Sequence, residues 1–329
     1  MFVIGADVSK KSLDCALMVS SEPLKLRSKV VPHRQAGCLG LVEWACRQVN
    51  CTPAELHVVM EATGVYHEAA AYALAQSGVT VSVVNPAQVR DFARGLAVRT
   101  KTDATDRVVL ARFGAIHKPA AWQPPAAEVI ELKALLSRLQ AVEGDLRREA
   151  NRLEKAEVTA TPQVVLDSLH NSLDFLEQEK VALQKRIDDH IEGHPQLKHD
   201  RELLESIPAI GRKTASRMLC VLHWRPFSKA SSVAAYLGLV PVHYQSGSSV
   251  SKPPRLSKAG DGAMRVVLYR VAVGATRYNP DVRSQYKRLV GQGKSKMSAL
   301  GAAMRKLVHI CFGVIKNQQP YDPRSASRT

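Results

Sequence analysis

Apolar residues in the first third of this chain come in short runs, and beyond it they recur at helical spacing. The runs FVIGADV, SLDCALMVS and LKLRSKVV within residues 2–32 predict three strands, with the turn-like SSEP before the third. From about Gln35 to Val49, the spacing of Leu39, Val42 and Cys46 predicts a helix. LHVVMEA then reads as a buried strand, followed by a break at Thr63-Gly64, a helix from Tyr66 to Gln76 and a strand at VTVSVV. Asn85-Pro86 opens the next helix, because proline suits a first helical turn. Three early strands followed by alternating helix and strand predict an α/β domain with a mixed sheet over residues 1–120.

The proline-rich KPAAWQPPAAE marks the end of that domain. Leu132, Leu135, Leu139, Val142 and Leu146 then recur at spacings of three and four, and Leu166, Leu169, Leu173, Leu176, Leu183, Ile187 and Ile191 repeat the pattern. With a turn at TATP, Thr159 to Pro162, residues 121–197 predict an antiparallel coiled-coil hairpin, whose seam Lys180 interrupts. Residues 198–318 predict a mainly helical domain. It opens on LLESIPAIGRKTASRMLCVL, which reads as helix, tight turn, helix and resembles a helix-hairpin-helix, except that Ala209 stands where that motif has its first glycine. Ile210, Gly211, Arg212 and Lys213 are therefore candidate contacts to a nucleic-acid backbone, with a purely structural corner as the other reading. His243 to Gly262 reads as a polar loop, and further helices begin near Ala263 and Met297 with a break at Tyr278-Asn279-Pro280. Residues 319–329 form a tail without periodicity, expected to be poorly ordered.

Charge changes the picture more than composition does. A formal net charge of +16 over 329 residues points to a polyanionic partner. No apolar run approaches the roughly 18 residues of a membrane span, and no signal-peptide layout opens the chain, so the expected location is cytoplasmic, with no membrane partner. The six cysteines form no CxxC pair and no zinc spacing, and read as reduced thiols in or near cores. No GxxxxGK[ST] loop is present, which argues against a nucleotide-driven reaction.

Four acidic residues carry the candidate chemistry. Asp7 ends the leading strand and Glu61 ends an otherwise apolar interior strand. Asp103 and Asp106 open a helical stretch three residues apart and so share a face. Each alone also reads as a turn or helix cap. Together at one sheet edge they would repel one another unless a cation were bound, and oxygen-rich carboxylate sets suit Mg²⁺ and phosphoryl transfer. Downstream, Ser246-Gly247-Ser248-Ser249 lies beside Tyr244 and before Lys252, Arg255 and Lys258. Gly-Ser loops are commonly connectors. A serine can also act on a phosphodiester when a metal, base or cation assists it. Arg265 and Arg270 add to the basic candidates for nucleic-acid contact.

GADVSKKSLD, MEATGVY, NPAQVRDFARG, KTDATDRVVLARF, LLESIPAIGRKTA and YQSGSSVSKPPRLSKAG, in this order, resemble the Piv-type transposases of the IS110 insertion-sequence family. The resemblance spans nearly the whole chain, as far as the helix containing Met304-Arg305-Lys306. It implies an N-terminal domain similar to the RuvC resolvase, with a ribonuclease H-like sheet and a DEDD metal site made by Asp7, Glu61, Asp103 and Asp106. It implies that Ser246 attacks a DNA phosphate and becomes transiently joined to it. It further implies a structured bridge RNA that pairs with target and donor DNA, dimers that pair into tetramers, and a site shared between subunits. The rival readings are a Piv-like DNA invertase, a RuvC-type endonuclease using water, and a non-catalytic nucleic-acid-binding protein.

Overall fold

The computed structural model describes residues 1–62, 66–97, 102–246 and 250–323, with the side chains of Asp103 and of residues 243–253 outside that description. The chain divides into two compact units, Met1–Pro124 and Pro125–Thr329.

The first unit contains β1 (Phe2–Val8), β2 (Ser12–Ser21), β3 (Leu24–Pro32), α1 (Gln35–Val49), β4 (Leu56–Glu61), α2 (Tyr66–Gln76), β5 (Thr80–Val84), α3 (Pro86–Gly95) and α4 (Asp103–His117). These strands form one mixed sheet in the order β3-β2-β1-β4-β5. β1 pairs antiparallel with β2 and parallel with β4, and β5 runs parallel to β4. This is the mixed-sheet α/β domain predicted from the alternation of runs.

The strand period of two sorts the sheet into two faces. Ile4, Ala6 and Val8 of β1 and Val58 and Met60 of β4 point to one face, where they pack with Cys38, Leu41, Ala70 and Leu74 of α1 and α2. Val3 and Val59 point to the other, against Val89 of α3 and Val109, Leu110 and Phe113 of α4. Two glycines let α4 lie close on that second face. A Cβ on Gly5 would meet the Arg107 carbonyl oxygen at 2.0 Å and the Ala111 nitrogen at 2.3 Å, and one on Gly114 would meet Val59 Cγ2 at 2.6 Å and Val3 Cγ1 at 2.8 Å. At the far end of α4, buried His57 Nε2 lies 2.8 Å from Ser82 Oγ, which in turn reaches the carbonyls of Pro119 and Ala120 at 3.0 and 2.8 Å. The proline-rich boundary segment therefore stays on this unit as far as Pro124. Trp122 donates its backbone N–H to Val81 and stacks edge-on against Tyr72 at 5.0 Å.

The second unit contains α5 (Ala127–Val158), α6 (Gln163–Glu192), α7 (Pro195–Glu205), α8 (Arg212–His223), α9 (Ala230–Tyr236), β6 (Pro241–Ser246), β7 (Val250–Leu256), α10 (Gly262–Tyr278), α11 (Pro280–Gly291) and α12 (Lys296–Asn317). α5 and α6 form the expected hairpin, turning at residues 159–162. Its inner half is continuous with the helical domain: Val129, Leu132, Leu139, Val142, Leu183, Ile187 and Ile191 share one core with Leu204, Met218, Leu268 and Leu307. The outer half leaves Val158, Val164 and Phe175 exposed. Heptad spacing marks the helices but does not reveal where a second layer covers them.

Two expectations change here. The His243–Gly262 stretch is largely a two-stranded antiparallel ribbon, with Tyr244 opposite Lys252 and Ser246 opposite Val250. Pro253 and Pro254 lie within β7, which has no partner other than β6 among the described residues, so prolines are tolerated there. The start of the tail is also ordered. Tyr321 donates its hydroxyl to Asp281 Oδ2 at 2.5 Å, and its backbone N–H to Ser206 Oγ at 2.8 Å. A terminus tied down by such bonds does not fray, and residues 324–329 lie outside the described part.

Among the described residues one helix, α12, is long and apolar enough to cross a membrane by length and composition. Ala303, Leu307, Val308 and Cys311 bury one of its faces in the helical core.

Candidate catalytic site

Register brings two of the predicted acids together. Ala6 pairs with Met60 in the parallel β1–β4 ladder, so the next residues, Asp7 and Glu61, end neighbouring strands side by side. Both fall on the α4 face, being two residues beyond Gly5 and Val59 respectively. α4 runs antiparallel to these strands: Gly114 sits over Val3 and Val59, while Arg107 and Ala111 sit over Gly5. Two strand residues span about 6.6 Å and four helix residues about 6 Å, so the next turn of α4 falls over Asp7 and Glu61. That turn holds Asp103, its first residue, and Asp106. The helix starts where it does because Thr102 caps it, its Oγ1 accepting the Thr105 N–H at 3.2 Å. The amide-rich N-terminus of α4 offsets part of the mutual repulsion of nearby carboxylates.

The backbone thus carries all four predicted positions to one sheet edge. Among the described residues, no three His, Cys, Asp or Glu side chains converge as a ready metal cage, and the Asp103 side chain falls outside the description. The donor type fits a hard divalent ion, since the tetrad supplies carboxylate oxygens only.

Two members of this edge escaped the sequence reading. Asp14 is the cross-strand partner of Asp7. Its Oδ1 accepts from Arg107 Nη1 at 3.1 Å, with the two side chains 20% and 17% exposed. Neither residue stands out in SLDC or TDRVV; the signal was that Asp14 has the strand parity of Asp7 across a short hairpin.

In the second unit, Ser246 is the last residue of β6, and the predicted neighbours Ser248 and Ser249 lie outside the described residues. The base of this ribbon is locked. Gly238 and Gly260 both have positive φ, and a Cβ on either would come within 2.1 Å of a backbone carbonyl, that of Ala259 or Tyr236. Arg265 Nη1 lies against the carbonyls of Ala259, Gly260 and Leu237 at 2.8, 3.2 and 3.3 Å. Arg265, expected as a nucleic-acid contact, is therefore engaged in holding the ribbon. Arg255, Lys258 and Arg270 remain exposed, and the Lys252 side chain is outside the description.

The helix-hairpin-helix-like corner also differs in detail from the expected contacts. Ile210 is buried. Arg212 Nε donates to Asp188 Oδ1 at 2.8 Å, and that hydrogen bond raises its pKa further, so its charge serves the α6–α8 junction. Gly211 and Lys213 stay exposed at the start of α8. Ala209 adopts φ 79°, the left-handed conformation that explains why the motif has glycine there. An L-residue in that region costs about 1–2 kcal/mol. Glycine loses roughly 0.5–1 kcal/mol more backbone entropy on folding. Ala209→Gly is thus expected to raise stability by up to about 1 kcal/mol in chemical denaturation. A loss of stability would mean that packing of the Ala209 methyl outweighs the strain.

The cysteines behave as expected. All six are free, and burial pushes the thiols of Cys220 and Cys311 up to about 11 and about 12, which leaves them protonated and unreactive.

Comparison with known proteins gives two family matches along the chain. A family described as transposase matches residues 4–159, and one described as transposase, IS116/IS110/IS902 family, matches residues 201–287. The pilin gene-inverting proteins of Moraxella bovis and Moraxella lacunata are each 32% identical over 324 residues, covering 98% of this chain and 98% of theirs. An uncharacterized 43.6 kDa protein of insertion element IS110 from Streptomyces coelicolor is 26% identical over 167 residues, 50% of this chain and 40% of that protein. Among solved structures, T. thermophilus RuvC in complex with a Holliday junction substrate is 17% identical, with a TM-score of 0.28 over 37% of this chain and 99% of that one.

Proposed function

The chain belongs to the IS110 family of transposases, and from that premise we propose that it cuts and rejoins DNA strands by transferring a phosphodiester to Ser246, with Asp7, Glu61, Asp103 and Asp106 holding Mg²⁺. The observation that carries this reading is the register of the first unit. Two strand ends and one helix start put four acidic positions at one edge, over a helix docked through Gly5. Such a set has little structural value alone, since like charges held close together raise each other's pKa.

Mg²⁺ bound there would neutralise charge on the phosphate oxygens and make the serine hydroxyl more acidic. In the proposed step, Ser246 Oγ forms a bond to phosphorus, the bond from phosphorus to the leaving DNA oxygen breaks, and the serine proton passes to solvent. The reverse attack by a DNA hydroxyl rejoins a strand and releases the serine. The phosphodiester energy is conserved in the serine ester, so no nucleotide cofactor is needed.

Tetrad and serine lie in separate compact units. We propose that the working site pairs one subunit's tetrad with another's Ser246, within dimers that assemble into a tetramer. A structured bridge RNA pairing with target and donor DNA is part of the same reading, supported by the charge of +16 and by exposed Lys213, Arg255, Lys258 and Arg270. The end-to-end match to pilin gene-inverting proteins favours inversion as the second reading, with the same chemistry on differently arranged sites.

The test is strand cleavage on DNA carrying the element's ends, with and without Mg²⁺. Asp103→Asn is expected to lower the rate by about 10²–10³-fold while DNA affinity is kept, the usual scale for removing one charge-stabilising group. Cleavage that persists in that variant, or in EDTA, would refute the metal site. A discrete RNA co-purifying with the native protein is the expected sign of guidance, and its absence would remove the RNA from the proposal.

A further inference from the structure

We propose that Asp14 is a positioning residue for the metal site, holding the Arg107 guanidinium off the tetrad so that the chain's own cation does not compete with the divalent ion. The inference rests on the metal-site reading above and goes beyond it.

Arg107 cannot leave the site. Its backbone carbonyl lies where a Cβ on Gly5 would fall, so its Cα is held on β1 by the same contact that docks α4. It follows Asp106 directly, over Gly5 and next to the helical turn that falls over Asp7 and Glu61. A guanidinium carries a permanent charge and five donors and binds carboxylates avidly. Left to itself beside several carboxylates, it would settle among them and fill the space that an ion needs.

Asp14 prevents this by geometry. It faces Asp7 across the β1–β2 ladder, so the two Cβ atoms are about 4.5–5.5 Å apart on one face. Its carboxylate takes Arg107 Nη1 at 3.1 Å and turns the guanidinium toward β2, away from the β4 side where Glu61 lies. Both partners are largely buried, where a charge pair is screened less than at the surface. The pair is not a fully satisfied structural fork. Arg107 Nε is buried without a hydrogen-bond partner, so this guanidinium has unspent donor capacity at the rim of the site. That spare donor is what makes a released Arg107 a competitor.

The test is Mn²⁺ binding by the full chain, followed by loss of the free-ion electron paramagnetic resonance signal, which does not depend on cleavage. Asp14→Asn is expected to weaken Mn²⁺ about tenfold, because the freed guanidinium moves onto the carboxylates. Asp14→Asn with Arg107→Gln is expected to restore wild-type affinity or better. Arg107→Gln alone is expected to tighten binding several-fold, and it covers the case in which Asp14→Asn fails to fold. Affinity within twofold of wild type in Asp14→Asn, or no rescue in the double variant, would overturn the inference and leave a plain structural ion pair. Weaker binding by Arg107→Gln would also overturn it, making the guanidinium an aid to the ion. A wild-type protein that binds no Mn²⁺ would instead fail the metal-site reading itself.

Discussion

Ser246→Ala is expected to lower strand cleavage by about 10⁴-fold or more, the range seen when a nucleophilic serine is removed from an enzyme that otherwise keeps its site. DNA affinity should stay within a few-fold of wild type. The substitution deletes one oxygen, and the ladder that holds position 246 opposite Val250 is made by backbone groups. The base of the ribbon is set further away, by Gly238, Gly260 and Arg265. The decisive measurement is the covalent adduct: wild-type protein trapped with DNA should yield a phosphoserine-linked species by denaturing gel and mass spectrometry, and the variant none. Cleavage that survives without an adduct would mean that water attacks the phosphate at the tetrad. The protein would then act as a nuclease on the first unit's chemistry, with Ser246 as a ribbon residue only.

The second large effect is steric. In Gly5→Ala, the new Cβ would stand 2.0 Å from the Arg107 carbonyl oxygen, 2.3 Å from the Ala111 nitrogen and 2.9 Å from Leu110 Cβ. The first two are backbone atoms and cannot rotate away, so α4 must lift from β1. Overpacking of this kind typically costs 1–3 kcal/mol and occasionally more; with helix backbone as the obstacle, about 3 kcal/mol or more is expected. The displaced helix carries positions 103, 106 and 107, so cleavage and metal binding should fall even where the protein still folds. Gly40→Ala is the control. It lies in α1 with nothing within 4 Å of its added Cβ, and alanine there should stabilise by about 0.5–1 kcal/mol. Equal melting temperatures for the two variants would contradict the close docking of α4.

Much of the first unit was legible because its signals are local. Short apolar runs became β1, β4 and β5, Asn85-Pro86 does start a helix, and Asp103 with Asp106 does open one. The acids were legible as a set because strand ends and a helix start are readable positions. Asp14 and Arg107 were not, since pairing register is a property of two segments and α4 docking is a property of three. The serine ribbon was misread as loop for a different reason. Glycine, serine and two prolines depress strand propensity, while cross-strand partners in β6 and β7 supply the order that propensity lacks. Arg212 was a candidate from the helix-hairpin-helix likeness and Arg265 from charge and position; a carboxylate and backbone carbonyls brought in by the fold engage them.

By itself, then, the chain's order of residues determined the mixed α/β unit and the helical hairpin and singled out the candidate acids and serine, because periodicity, capping and side-chain chemistry are written locally. Tertiary structure alone decided which charges serve the site and which serve the fold. A carboxylate or guanidinium takes its role from the groups within a few ångströms of it, and those come from segments as far apart as Asp14 and Arg107.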